Sequence, residues 1–504
     1  MRHFGLALCL FSIGIATGCS RGSLNGDPLD EVASVSAANR PALQACLAAP
    51  DLPGNHWPAG AGKARCWLSL AQEPSLKEIA ATLSEPDGAV KLDRRYAEIL
   101  TAHYNDPVHR DALFAAYQDF GTTEGQRLAD DWLAKSRGSA FAHMAKGQAA
   151  LGAAWKARGS RYAADTTDPQ FAGMSEQLKI AVPLLESALH DEPRLSPACV
   201  DLMDIGDIVG AAALHEAAAQ HCSRIDPLSW HVNSMLLTAA DPRWGGSFDA
   251  LDRVVEQIRL REPKSPMLAS LLAKGIGRRV YMGWSDDSKL APIAAGLERT
   301  ALMAPDPFYL AKAGVAAEQA GNFPKALAHI SQALRFAPNE ANFLIDRAAL
   351  RTRMGDRPHA LTDALHAAAQ PDDCGCRNDA DLAMVFFDLH RINEERAELQ
   401  KVLGNAGQKE NHQWALSALC KTYAMEADNE HGLACAKQLA DEFPDDSEAL
   451  YLHALFLYAT HDPGAADADA RFRKLANASD PGVQGEIAQL NELKNPGAQA
   501  NQER

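Results

Sequence analysis

Positive charge is in short supply. Lys and Arg total 49 against 65 Asp and Glu, a formal net charge of −16. A balance of that sign lacks the basic footprint that a phosphate backbone requires, which excludes nucleic acid as a main partner. Sustained alternation of β-branched and polar residues is missing, which excludes a sheet-based fold. Beyond the N-terminus no apolar run approaches the roughly 20 residues of a membrane-spanning helix. Catalytic signatures are equally sparse. His215-Glu216 is followed by His221. Histidines six apart do not share one helix face as a zinc-protease pair must. Gly60-Ala61-Gly62-Lys63 has Trp57 where a phosphate loop needs its first Gly and no Ser or Thr after the Lys, so it reads as an ordinary loop. Gly275-Ile276-Gly277 has Val280 where a dinucleotide fingerprint needs Gly, and no Gly-x-Ser-x-Gly elbow occurs. These gaps leave no catalytic residue, no metal site and no cofactor to expect.

What is present begins at the N-terminus. Met1-Arg2-His3 is basic, Phe4 to Ala16 is an apolar run of signal-peptide length, and Ala16-Thr17-Gly18-Cys19 closes it. The closing residues resemble the lipobox of bacterial lipoproteins, with Ala16 where that pattern usually has Leu. The resemblance implies cleavage before Cys19 and lipid on its sulfur. Ser20 behind the Cys implies, by the sorting rule of that class, the periplasmic face of the outer membrane. Ordinary secretion with cleavage near Gly18 is the alternative. Residues 20–39, rich in Ser, Gly, Asn and Asp, read as a flexible tether.

The chain of 504 residues is too long for one core, so a repeat is the first thing to look for. Gly321, Ala326 and Ala333 are followed at a spacing of 34 by Gly355, Ala360 and Ala367, and Pro338 is followed by Pro371. Small residues at such positions let antiparallel helices approach closely. This resembles the tetratricopeptide repeat, with Pro338 at its position 32 and Gly314 at position 8. Ala181, Leu185 and Ala188 before Pro193 fit the same register. Further hairpins are expected near residues 263–305, 382–403, 414–444 and 449–475. The expected fold is therefore all-α, a superhelical stack of antiparallel helix hairpins. The register and the resemblances imply a signal peptide (1–18), the lipidated Cys and tether (19–39), a Cys-containing helical segment (40–91), an uncharacterised tetratricopeptide-like domain (92–300), the two best-matching repeats (301–372), further hairpins (373–480) and a tail (481–504).

Two motifs stand outside the repeat. Trp155-Lys156-Ala157-Arg158-Gly159 precedes a broken region reaching Gln177, and Asp241-Pro242-Arg243-Trp244-Gly245-Gly246-Ser247 precedes another helix. In this order they resemble a family of uncharacterised bacterial domains over residues 92–261. That resemblance implies the hairpin fold and no chemistry. The second motif reads as a tight turn needing Gly freedom with an aromatic plug beside it. Arg158 and Trp244 remain candidate ligand contacts.

Ten cysteines are present. Export implies an oxidising compartment. With Cys9 removed and Cys19 lipidated, eight remain in neighbouring pairs: Cys46 with Cys66, Cys199 with Cys222, Cys374 with Cys376, and Cys420 with Cys435. Cys374 and Cys376, one residue apart, are also weak metal or redox candidates.

The functional expectation is a non-catalytic scaffold that binds a protein or peptide along the first helix of each hairpin. By the geometry of the tetratricopeptide family, Phe308, Lys312, Val315, Glu318, Gln319, Asn342, Ile345, Asp346, Thr352 and Arg353 face the ligand side. Ala311 and Val315 depart from the basic pattern that recognises acidic C-termini. The alternative is an envelope enzyme or a metal or redox protein, with a site in residues 162–173 or the Cys374/Cys376 loop.

Overall fold

A computed structural model describes residues 40–70, 74–105, 110–159, 166–281, 289–371, 377–404 and 411–495. Cys19 and the tether, and Cys374 and Cys376, lie outside the described residues. No strand occurs among the described residues. The chain divides into two compact units, unit 1 spanning Met1–Leu350 and unit 2 spanning Arg351–Arg504.

Unit 1 runs α1 (Arg40–Ala48), α2 (Ala61–Leu70), α3 (Leu76–Ser84), α4 (Gly88–Asn105), α5 (Ala112–Gln118), α6 (Thr123–Lys135), α7 (Ala140–Arg158), α8 (Asp168–Asp191), α9 (Ser196–Ile208), α10 (Ala212–Ile225), α11 (Trp230–Ala240), α12 (Phe248–Arg261), α13 (Ala269–Tyr281), α14 (Ala294–Met303), α15 (Pro307–Gln319) and α16 (Phe323–Phe336). The unit boundary falls in α17 (Ala341–Arg353), after which unit 2 runs α18 (Arg357–Ala368), α19 (Asp379–Asp388), α20 (Ile392–Gly404), α21 (His412–Met425), α22 (Asn429–Glu442), α23 (Ser447–Ala459), α24 (Ala465–Leu475) and α25 (Pro481–Lys494).

Short-range chemistry sets these boundaries. Ser75 and Glu78 form a reciprocal capping box at the start of α3. Thr167 and Gln170 do the same for α8, with Pro169 in its first turn. Of the stretch 162–173, expected from the sequence to be irregular, residues 162–165 lie outside the described residues, and from Asp168 on it is helix. Pro169 opens the helix rather than breaking it. Likewise Gly60, at φ +79°, is a turn, and Ala61 after it starts α2, so the phosphate-loop look-alike is a helix entrance rather than a loop. Residues 481–494, expected to belong to a tail, form α25, capped by Asp480 and seated on α23 with Leu490 fully buried.

Consecutive helices pack as antiparallel hairpins: α7 with α8, α9 with α10, α13 with α14, α15 with α16, α19 with α20, α21 with α22 and α23 with α24. The small-residue register explains how closely. Ala326, Ala333, Ala360, Ala367, Ala181 and Ala188 are all completely buried. A side chain added at Gly314 would collide with Ile330 of the facing helix. The fold is an all-α array of tetratricopeptide-like hairpins, and its small residues sit at helix crossings.

Two features of unit 1 go beyond hairpin stacking. The first is a buried polar knot. Asp111, at φ +74°, is fully buried and accepts hydrogen bonds from the Ser229 hydroxyl, the Trp230 backbone N–H at 2.8 Å and His231 Nδ1 at 3.0 Å. Its own N–H donates to His103 Nδ1 at 3.0 Å, so His103 carries its proton on Nε2 and donates it to Asp226 at 2.6 Å. Arg110 completes the charge balance with Asp226 at 3.1 Å. The knot ties α4 and α5 to the ends of α10 and α11. Burial alone would push the Asp111 carboxyl up, but His231, His103 and Ser229 outweigh it and hold it at about 2.

The second feature is the seat of α1 and α2. They do not continue into α3. Instead α2 packs against α13, α16 and residues 266–268. The Trp57 indole N–H donates to Ala301 O at 3.0 Å, and the His56 N–H to Leu302 O at 2.7 Å. Arg335 donates to Cys46 O at 2.8 Å and pairs with Asp51 at 2.6 Å.

Candidate binding surface

The residues expected on the ligand side of α15 and α17 are largely engaged. Phe308 packs edge-on against Tyr281 and Tyr309 at 5.4 and 5.2 Å, and Lys312 lies 5.7 Å from its ring centre. Gln319 accepts hydrogen bonds from the Leu290 and Ala291 N–H groups at 2.5 and 3.3 Å, so its amide oxygen anchors the segment before α14. Asn342 and Asp346 are half-buried. Ile345 is buried. Arg353 is exposed. Burial pushes the Asp381 carboxyl up, and the charge of Arg353 opposes that rise.

The two motifs resolve differently. Asp241 caps the short 3-10 turn Pro242–Trp244, and Gly245 at φ +92° reverses the chain. At Gly246 an added side chain would strike the Ala240 carbonyl. The tight turn stands, but Trp244 is half exposed and plugs nothing. The packing role belongs to the Asp241 carboxylate, which is buried and bound to Arg278 at 2.5 Å. Arg158 stacks over Trp155 at 5.6 Å and donates to Gly159 O at 3.1 Å. Trp155 in turn hydrogen-bonds Asp204. Burial, with Asp207 adding and Trp155 opposing, pushes the Asp204 carboxyl up to about 7.

Three cysteine pairs lie at disulfide distance. The two Cα atoms are 5.7 Å apart for Cys46 and Cys66. They are 5.9 Å apart for Cys199 and Cys222, and 5.4 Å apart for Cys420 and Cys435.

A second set of side chains is exposed where the expected groove is closed. Counted from the closing turn, where the His390 and Arg391 N–H groups donate to Phe387 O and Phe386 O as those of Gly321 and Asn322 donate to Glu318 O and Ala317 O, Met384 and Phe387 of α19 take the places of Val315 and Glu318 in α15. With Pro444 taken at position 32, Trp414 and Met425 of α21 fall at positions 2 and 13, the places of Phe308 and Gln319. These four are 46%, 51%, 38% and 54% exposed. Sequence reasoning missed them because the small-residue signature is weak around them. The signal that finds them is a large apolar residue at a ligand-facing position whose neighbours on the same helix are Ala, Leu and Val.

No family model matches the sequence. No curated protein matches it either. Among solved structures the chain is similar to the P58(IPK) TPR domain, at 11% identity over 82% of this chain and 99% of that one, with a TM-score of 0.22. It is also similar to the APC/C hetero-tetramer Cut9–Hcn1, at 11% identity over 82% and 92%, with a TM-score of 0.34. The fold assignment stands on this chain's own hairpins and their 34-residue register.

Proposed function

We propose that the chain is a non-catalytic scaffold, held at the periplasmic face of the outer membrane by lipid on Cys19, and that it docks a protein or peptide on the first helices of unit 2. The observation that supports this is the set Met384, Phe387, Trp414 and Met425. Aromatic and Met side chains left open at equivalent helix positions are what protein interfaces are enriched in. A partner would bury them without disturbing the scaffold, whose hairpins are packed on their other face.

Site-specific photo-crosslinking tests the docking site. A photoreactive residue at Phe387, in protein expressed in its own envelope, is expected to give a discrete adduct that is lost when Trp414→Ser is added. The same residue at Gln438, exposed on the second helix α22, is expected to give none. Identical patterns at both positions would defeat the reading. The anchor is tested separately: Cys19→Ser is expected to move the protein from the membrane pellet to the soluble periplasmic fraction.

A further inference from the structure

Under α2 lies a group of charges that neither the hairpin packing nor the docking surface uses. Trp230, the first residue of α11, is buried, and its indole N–H donates to Ser270 Oγ at 2.7 Å. Two cations sit against its ring, Arg65 of α2 and Lys274 of α13, each 5.5 Å from the centre. Arg278, one turn beyond Lys274, and Arg243 bring the cations to four.

Two carboxylates are at hand, and both are committed elsewhere. Asp241 is held by Arg278 at 2.5 Å and faces Arg243 at 3.5 Å. Asp306 accepts the Phe308 and Tyr309 N–H groups at 3.0 and 3.2 Å as the cap of α15. Among the described residues neither Arg65 nor Lys274 makes an ion pair; Lys274 donates to the Ser234 hydroxyl at 3.2 Å. Arg65 is only 3% exposed, and its Nε has no acceptor among the described residues. A guanidinium taken out of water without an acceptor is costly, and a ring face compensates only in part. Burial pushes Arg65 down to about 10 against the pull of Asp306. Burial also pushes Lys274 down to about 8, with Asp306 and Asp241 opposing and Arg278 and Arg65 adding to the shift.

We propose that Arg65 and Lys274 form a binding site for a small oxyanion, inorganic phosphate or a carboxylate, at the seam where α2 docks on α13. The chemistry suits that class. A guanidinium offers parallel N–H donors that match two oxygens, and an ammonium adds a point charge beside them. Because Arg65 comes from the docked N-terminal helices and Lys274 from the body, the anion would tie the two together. The site is independent of the protein-docking reading and stands or falls without it.

The test is thermal unfolding of the full chain at constant ionic strength, with chloride replaced by millimolar phosphate in one arm and by acetate in the other. A saturable rise in Tm with either anion is expected. It should be abolished by Lys274→Met and retained by Lys91→Met, which alters an exposed lysine paired with Glu85. Phosphate alone acting names a phosphate site, and acetate alone a carboxylate site. No saturable rise with either anion, or an equal rise in Lys274→Met, overturns the proposal. Should Lys274→Met fail to fold, calorimetric titration of the unaltered protein at pH 7 and pH 9, with the anion that raised Tm and with phosphate counted as its dianion, decides. Affinity falling severalfold at pH 9, as Lys274 loses its proton, supports the site. Unchanged affinity or no heat overturns it.

Discussion

The hairpin α15–α16 and the hairpins of unit 2 share one register but leave different faces bare. In α15 the ligand-facing positions are filled from within: Phe308 meets Tyr281, Lys312 covers Phe308, and Gln319 holds the segment before α14. In α19 and α21 ligand-facing positions carry Met384, Phe387, Trp414 and Met425, all open to solvent. The repeat signature is clearest where the surface is closed and faintest where it is open. Small residues at positions 8, 20 and 27 report how closely two helices cross, not what the hairpin binds. A search guided by the repeat alone goes to the surface that is closed from within.

That contrast can be broken by mutation. The largest effect is expected in the interior of unit 1. Asp111→Ala strands His231, Ser229 and the start of α11, and should cost on the order of 3–5 kcal/mol in denaturant unfolding. A cost below about 1 kcal/mol, the range of an ordinary substitution, would show that the knot is not structural. Next, Cys199→Ser with Cys222→Ser opens a crosslink inside one hairpin between positions 23 apart in sequence. Its loss should cost about 3 kcal/mol. Finding both thiols free in protein purified without reductant would show that the crosslink does not form.

Ala326→Leu should overpack α15 against α16 by about 1–3 kcal/mol. An unchanged melting curve would displace the register. A pH series sharpens the comparison further. Asp204 in unit 1 and Glu395 in unit 2 are both raised to about 7 by burial, Asp207 adding in the first case and Arg396 opposing in the second. A raised carboxyl stabilises the fold while protonated, fully so below its unfolded value near 4, and that contribution is lost as pH rises through 7. Asp204→Asn and Glu395→Gln should therefore gain on the unaltered protein between pH 5 and pH 8. Asp111 has the opposite sign: its contribution is present above about 4 and is lost as pH falls toward 2. The smallest effect is expected at Phe387→Ser, within about 0.5 kcal/mol, because an exposed side chain supports no packing. A larger loss would mean that Phe387 is structural and the surface is not free.

Much of the fold is legible in the sequence because its causes are local. Ala326 and Ala333, the hairpins at 382–403, 414–444 and 449–475, and the turn at Gly245 each follow from spacing within a few dozen residues. What stays hidden depends on partners far along the chain. Nothing near Arg65 announces Trp230 or Lys274, and nothing near Asp111 announces Ser229 and His231. The helix starting at Asp168 is hidden differently: Thr167 and Gln170 spell a capping box, but Pro169 and Gly173 together suggest a break. Trp244 is overvalued because a large aromatic beside two glycines suggests a plug, when the buried charge of Asp241 does the anchoring.

The seat of α1 and α2 has a consequence for the order of assembly. Trp57 and Ala301 are 244 positions apart, and Arg335 reaches back 289 positions to Cys46. A chain delivered from its N-terminus presents these two helices first and their seat only once α16 has emerged. Cys46 and Cys66, 20 positions apart, need no such wait. The loop between them can close without waiting for that seat. Hairpins stack on their neighbours as they appear, each with local contacts and a short search. Docking α1 and α2 closes a loop of more than two hundred positions, and it is expected to be the slow, final step.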